Sequence, residues 1–286
     1  MTERPVRPPR ATSRDVTELT ALKKIHPELS DAIDVQLALI EINKRVQGRV
    51  PLPWMQPDAA WLAAQQRDGR PAVRFADIPL DWSDFRLTMR QVSDVLQRHG
   101  ALDPRDYERI LAISRDGHTL EPLVAGWYTA TSHVDAAKDV TPADLPAGLD
   151  QVFLLALRPF LSRCADALMP RPEFQSWRQR LCPVCGWEAD FATITPDAER
   201  HLICGRCLAQ WIFDPLACPY CDNHDRARIT SFATRDGRYR VYACDVCQRY
   251  LKAYDGRSAA RPVLIHVDAI ATLPLDAAAI QRGYRG

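Results

Sequence analysis

Four Cys-x-x-Cys pairs, Cys182–Cys185, Cys204–Cys207, Cys218–Cys221 and Cys244–Cys247, fall within 66 residues of this 286-residue chain. No other feature restricts its fold as strongly. Two intervening residues let one tight turn aim both sulfurs at a single ion, and two such turns complete a tetrahedral four-sulfur site. Eighteen residues separate the first pair from the second and 22 separate the third from the fourth. The first gap lies inside the spacing expected of a four-cysteine site and the second just outside it. Sequential pairing puts Cys182, Cys185, Cys204 and Cys207 on one ion and Cys218, Cys221, Cys244 and Cys247 on another. Interleaved pairing stays open, because spacing does not fix connectivity. Four thiolates suit zinc or iron equally well. With every ligand position taken by protein there is no place for substrate, so the expected sites are structural rather than catalytic.

The flanking residues agree with metal knuckles. Pro183 and Pro219 stiffen the first and third turns. Gly186 follows the first pair, where a left-handed backbone lets amides approach the thiolates; Asp222-Asn223 takes the corresponding place after the third, at some conformational cost. His201 and His224 lie near the knuckles, but no cysteine is missing for either to replace. The ninth cysteine, Cys164, sits four residues after Phe160 and four before Leu168 on one helical face. It reads as a core residue and not as a ligand.

The first part of the chain has a helical period. Leu19, Leu22, Ile25, Leu29, Ile33, Leu37 and Ile40 recur at spacings of three and four, and Pro27 predicts a break near His26. Asp81 or Ser83 can cap a helix carrying Phe85, Met89, Val92 and Leu96, stopped by His99-Gly100. Pro104 opens another, expected to end at Gly117. A less regular helix spans Leu120 to Val134, and Leu149 to Leu168 carries the clearest apolar stripe, ended by Met169-Pro170. After Trp177 the helical period stops. Phe191–Thr195, Ala227–Phe232 and Tyr239–Ala243 read as short strands, with Asp236-Gly237 as a hairpin signal. So small a region buries little apolar surface by itself and needs staples, which the cysteines supply.

The reading is an α+β chain: an all-helical N-terminal domain followed by two small rubredoxin-like or zinc-ribbon modules, each on a four-cysteine site. The expected divisions are a disordered tail at 1–16, the helical domain at 17–176, metal-ribbon modules at 177–213 and 214–256, and a C-terminal segment at 257–286. Lysine plus arginine is 37 against 36 acids, so no global field points to nucleic acid or anionic lipid. The arginines between 226 and 240 read as a solvated face. The most apolar helical stretch, Gln151 to Leu168, is interrupted by Arg158 and Arg163, so membrane insertion is not expected. Met1 to Arg14 has no apolar core and does not read as a secretory signal. The expected location is the cytoplasm, where thiols stay reduced. No phosphate-binding loop or nucleophile elbow is present.

Several motifs in order resemble the formate dehydrogenase accessory protein FdhE family. They are Cys182-Pro-Val-Cys185-Gly186; Arg200-His201-Leu202-Ile203-Cys204-x-x-Cys207 with Trp211; Cys218-x-x-Cys221; Arg240-Val241-Tyr242-Ala243-Cys244-x-x-Cys247 with Tyr250-Leu251-Lys252; and Asp268 through Asp276 with Gly283-Tyr284-Arg285. The match covers about 110 residues. Two departures stand out: Ala269 replaces the second of two adjacent aspartates, and Asp222 replaces a glycine. The resemblance implies a cytoplasmic, non-enzymatic protein that binds metal, with iron favoured over zinc. Its implied partner is the catalytic subunit of formate dehydrogenase, bound before export, with homo-oligomerisation left open. Tyr250, Lys252 and Asp268 are candidate partner contacts. A nucleic-acid-binding zinc ribbon and a rubredoxin-like redox protein are the competing readings.

Overall fold

A computed structural model of the chain describes residues 13–51, 58–132, 145–259 and 261–286. The expected tail lies mostly outside them, as does the end of the helix read to Val134. The first amphipathic run divides as its proline requires. Helix α1 (Arg14–Ile25) stops before a single 3₁₀ turn at Pro27–Leu29, and α2 (Ser30–Gln47) follows. After α3 (Ala59–Arg67), which has no strong sequence signal, come α4 (Trp82–Arg98), α5 (Pro104–Arg115) and α6 (Gly117–Ala130). Asp81 caps α4 by accepting from the Asp84 amide at 2.8 Å. Phe85, Met89, Val92 and Leu96 are all buried on one face of α4. The boundary expected at Gly117 falls slightly earlier because Asp116 accepts from the amides of His118 and Thr119. That cap starts α6 where the periodicity alone suggests only an ending.

Helix α7 (Leu149–Leu168) is the central element of this half, with thirteen buried residues. It packs against α2 and α4, and α4 packs in turn on α5. A short helix, α8 (Pro172–Gln175), leads to the sheet. No helix among the described residues is long and apolar enough to cross a membrane.

The strands are β1 (Ala189–Ile194), β2 (Arg200–Cys204), β3 (Gln210–Phe213), β4 (Ile229–Ala233), β5 (Tyr239–Cys244) and β6 (Arg249–Asp255). They form one sheet in the order β3-β2-β1-β6-β5-β4. Each half is an antiparallel meander of three strands, and the halves join through parallel pairing of β1 with β6. The two expected modules are therefore a structural repeat fused into a single sheet. Near the junction, Arg249 of β6 donates to both carboxylate oxygens of Glu188 at 2.9 and 2.8 Å. Its guanidinium also lies 3.6 Å from the centre of the Tyr220 ring.

Both sheet faces are covered. Ala192, Leu202, Leu251 and Ala253 share one core with α4 and α7. Phe191, Ile203, Tyr239 and Tyr254 face Val263, Ile265 and Leu275 on the other side. The cover there is α9 (Ile265–Ala271) and α10 (Leu273–Gln281), two helices that the sequence reading does not anticipate beyond Trp177. Val267 of α9 packs with Leu19, Ile33 and Ile40, so the end of the chain also ties back to α1 and α2.

This arrangement corrects the assignment of three residues as partner contacts. Tyr250 and Lys252 both donate to Asp276, at 2.7 and 2.6 Å. Asp268 is fully buried, where it accepts from Arg261, from Tyr239 and from the Leu264 amide. A lysine and an aspartate so close to a metal knuckle or a chain end read as surface groups in sequence. Here they fasten α9 and α10 to the sheet.

Candidate metal centres

In both halves of the sheet the second knuckle is the turn between the second and third strands. Cys204–Cys207 joins β2 to β3, and Cys244–Cys247 joins β5 to β6. The first knuckle of each half, Cys182–Cys185 or Cys218–Cys221, precedes the first strand and faces the turn. The result is two groups of four sulfurs: Cys182, Cys185, Cys204 and Cys207, and Cys218, Cys221, Cys244 and Cys247, each within 4.8 Å of one another. The grouping is sequential and not interleaved.

The spacing of the sulfurs suits metal ligands and not disulfides. Cys182–Cys207 and Cys185–Cys204 are 3.5 Å apart in the first group; Cys218–Cys247 and Cys221–Cys244 are 3.7 Å apart in the second. A disulfide needs about 2.05 Å. A tetrahedron of metal–sulfur bonds of about 2.3 Å places its sulfurs about 3.8 Å apart. Each donor set fits one thiophilic ion, and each group can hold one. Burial pushes the Cys182 and Cys207 thiols well above the ordinary range, and that of Cys247 to about 11. A bound cation opposes this cost by favouring the thiolate.

All four knuckles end on a residue in the left-handed region: Gly186 at φ 71°, Leu208 at 63°, Asp222 at 59° and Gln248 at 56°. Its amide returns to the carbonyl of the first cysteine of the pair in each case, at 2.9–3.2 Å. Sequence reasoning finds Gly186 and Asp222 but misses Leu208 and Gln248, since neither residue type announces a positive φ. Each non-glycine there costs about 1–2 kcal/mol, so the knuckle geometry overrides backbone preference.

The two centres differ in their surroundings. All four sulfurs of the first are buried, inside the core shared with the helical half. The segment before α4 runs along its knuckle, with the Ala72 and Val73 amides donating to the Pro183 and Val184 carbonyls at 2.9 and 3.0 Å. A Cβ on Gly186 would stand 2.2 Å from the Ser132 carbonyl oxygen. In the second centre Cys218 and Cys244 are buried, Cys247 is half-buried and Cys221 is exposed.

Sequence reasoning also missed the arginines that line these sites. Arg206, inside the second knuckle, is 0% exposed. Its guanidinium lies 4.0 Å from the Trp187 ring, 4.7 Å from Trp127 and 4.9 Å from Tyr128. It donates to Ser132 Oγ at 3.1 Å and to Thr131 Oγ1 at 2.5 Å. No carboxylate among the described residues forms an ion pair with it, so the neighbouring sulfurs and the ring faces are its negative surroundings. Arg158 of α7 donates to the Gly205 carbonyl at 2.6 Å on the same knuckle. In the other half, buried Arg200 donates to the carbonyls of Asp214 and Ala217, and burial lowers its pKa to about 10.

The remaining candidates fall outside both groups. His201 is half-buried beside Glu199, and His224 is exposed between Asp214 and Asp222. Cys164 is buried in the helical core, where burial pushes its thiol up to about 12. Within the arginine-rich stretch, Arg238 pairs with Asp236 and Arg240 with Asp255.

No protein-family model matches the chain. The FdhE homolog of Aquifex aeolicus is 22% identical over 276 residues, which cover 94% of this chain and 90% of that protein. The FdhE homolog of Haemophilus influenzae strain PittGG is 33% identical over 75 residues, a local match to 25% of this chain and 24% of the relative. The crystal structure of the FdhE protein from Pseudomonas aeruginosa shares the fold, with a TM-score of 0.63 at 20% identity. That match covers 96% of this chain and 94% of the other. Likeness to FdhE proteins thus runs through nearly the whole chain, and the fold is that of the FdhE crystal structure.

Proposed function

We propose that this protein is a metal-dependent accessory factor for formate dehydrogenase, acting in the cytoplasm on the catalytic subunit before export. The observation that carries the reading is the likeness to an FdhE homolog along 94% of the chain, helical half included. A metal ribbon borrowed for another purpose would be expected to match over the ribbons alone. The eight cysteines serve as ligands of two ions, with iron favoured by the resemblance. Four protein sulfurs per ion leave no coordination position for a substrate, which supports a role in recognition over one in catalysis. The metal contributes folding energy and so holds the recognition surface in shape.

The test is co-purification of tagged protein with the catalytic subunit from cells making formate dehydrogenase. The reading expects specific recovery of that subunit, and its loss when Cys182 and Cys185 are both replaced by serine. Recovery of no such subunit under conditions where the enzyme is abundant would overturn it.

A further inference from the structure

The same repeat is used twice, yet only one copy is sealed. All four cysteines of the first centre are buried, and protein packs around them: the 71–73 segment on its knuckle, the Ser132 carbonyl against Gly186, and Arg206 under three aromatic rings. The second centre reaches the core through Cys218 and Cys244, and its other edge lacks these covers among the described residues. Cys221 is exposed and Cys247 half-buried, and between the two sulfurs of its second knuckle Val246 is 53% exposed. Leu216, just before the third pair, is 44% exposed. Asp222 and His224 beside Cys221 are also open to solvent, with side chains 65% and 60% exposed.

Ligand exchange at a tetrahedral ion proceeds most easily when an incoming donor can reach the metal before a resident one leaves, through a five-coordinate state. That requires one open flank. We propose that the second four-sulfur centre is an exchangeable metal site, through which a thiophilic divalent ion enters and leaves at the Cys221–Cys247 edge, while the first centre keeps its ion for as long as the fold persists. The proposal rests on the metal-binding reading above. Each exchange step is balanced without redox change. An incoming thiol gives its proton to solvent as its sulfur bonds to the ion; the bond to Cys221 Sγ breaks, and that sulfur takes up a proton. Repetition at Cys247 frees the ion from the exposed edge, leaving Cys218 and Cys244 as the last holders. Small thiols and thiol-bearing proteins share this chemistry, and exposed Leu216 and Val246 border the entry point for either.

The experiment uses the full chain loaded with zinc of one isotope, then mixed with excess zinc of a second isotope and followed by native mass spectrometry. Parallel arms contain glutathione, a small cysteine-bearing peptide, or no thiol. The proposal expects two ions per chain, one exchanging at least roughly a hundredfold faster than the other, as when the slower site opens only by local unfolding. Thiol should accelerate the fast ion alone; acceleration by the peptide beyond that by glutathione would point to a protein donor. Alkylation of the wild-type chain during partial chelation assigns the phases without a variant. Cys221 and Cys247 should be modified while Cys182, Cys185, Cys204 and Cys207 stay protected. Two ions leaving in a single phase, or alkylation of the first group before the second, would overturn the proposal alone. A chain that takes up fewer than two zinc ions would overturn the metal reading and this proposal with it.

Discussion

The two four-sulfur groups are built from one local plan and differ in how completely they are covered. Each has a knuckle before a strand, a knuckle at a strand turn and a left-handed residue closing every pair. All four cysteines of the first are buried in the core formed with α4 and α7; Cys218 and Cys244 of the second reach the same core, while Cys247 is half-buried and Cys221 exposed. The difference shows that the arrangement of the sulfurs is specified locally, by four short turns, whereas their exposure is specified by what the rest of the chain lays over them. Here the helical half does that covering. Its α6 supplies Trp127 and Tyr128, and the two residues after that helix, Thr131 and Ser132, complete the surroundings of Arg206, which belongs to the metal ribbon. The helical half and the first centre therefore stabilise each other.

The largest expected effect follows from that mutual dependence. Cys185→Ser should unfold the first centre and loosen the helices packed on it, because loss of a structural ion removes folding energy outright. Cys221→Ser should cost one ion and leave the helical half intact. Circular dichroism melts should show a far greater loss for Cys185→Ser; equal melts would break the comparison. Arg206→Ala comes next. It removes a desolvated cation–π cluster, leaves three ring faces around a cavity, and should destabilise by about 3–5 kcal/mol. A changed near-ultraviolet signal from Trp127 and Trp187 would place the damage in that cage.

A smaller effect separates the two closing residues of the leading knuckles. Gly186→Ala adds a Cβ against the Ser132 backbone and should cost about 2–4 kcal/mol by strain at positive φ with no room to relax. Asp222→Gly relieves a left-handed aspartate on an open surface and should change stability by about 1 kcal/mol or less. Urea midpoints for the two variants measure this directly, and a costly Asp222→Gly would show that the second centre is more tightly enclosed than its exposure indicates.

The smallest effect concerns the seam between the ribbons, where Asp255 pairs with Ile194 across β1 and β6. Hydrogen bonds from Arg257, opposed in part by burial and assisted by Arg240, hold its carboxyl far below the usual range. A depressed carboxylate contributes stability that is complete above its unfolded pKa of about 3.9 and lost as pH falls toward the folded value. Asp255→Asn should therefore lower the melting temperature at pH 7, and the gap from wild type should narrow only in strong acid. A gap unchanged down to pH 2 would remove this ion pair from the account.

Much of this was legible in the sequence. The cysteine spacing indicated two four-sulfur groups. Proline, glycine and aspartate punctuation placed α1, α2, α4, α5 and α7 closely, since caps and apolar periods act locally. What stayed hidden depends on tertiary placement. Helices α9 and α10 are short and alanine-rich, with too little periodicity to stand out. Leu208 and Gln248 adopt positive φ because the knuckle demands it. Arg206 and Asp268 are residue types normally found at the surface, and only the fold shows them buried. Burial also creates the inequality of the two centres, because both have the same Cys-x-x-Cys pattern.

The helical half covers one four-sulfur centre entirely and leaves an edge of the other open. Hydrogen–deuterium exchange on the two-ion protein, repeated after chelation has removed one ion, tests it most directly. Exchange should quicken only around residues 218–221 and 244–247, with α4, α6, α7 and the first two knuckles as protected as before. Loss of protection across α6, α7 and the first knuckle on removal of that first ion would contradict it.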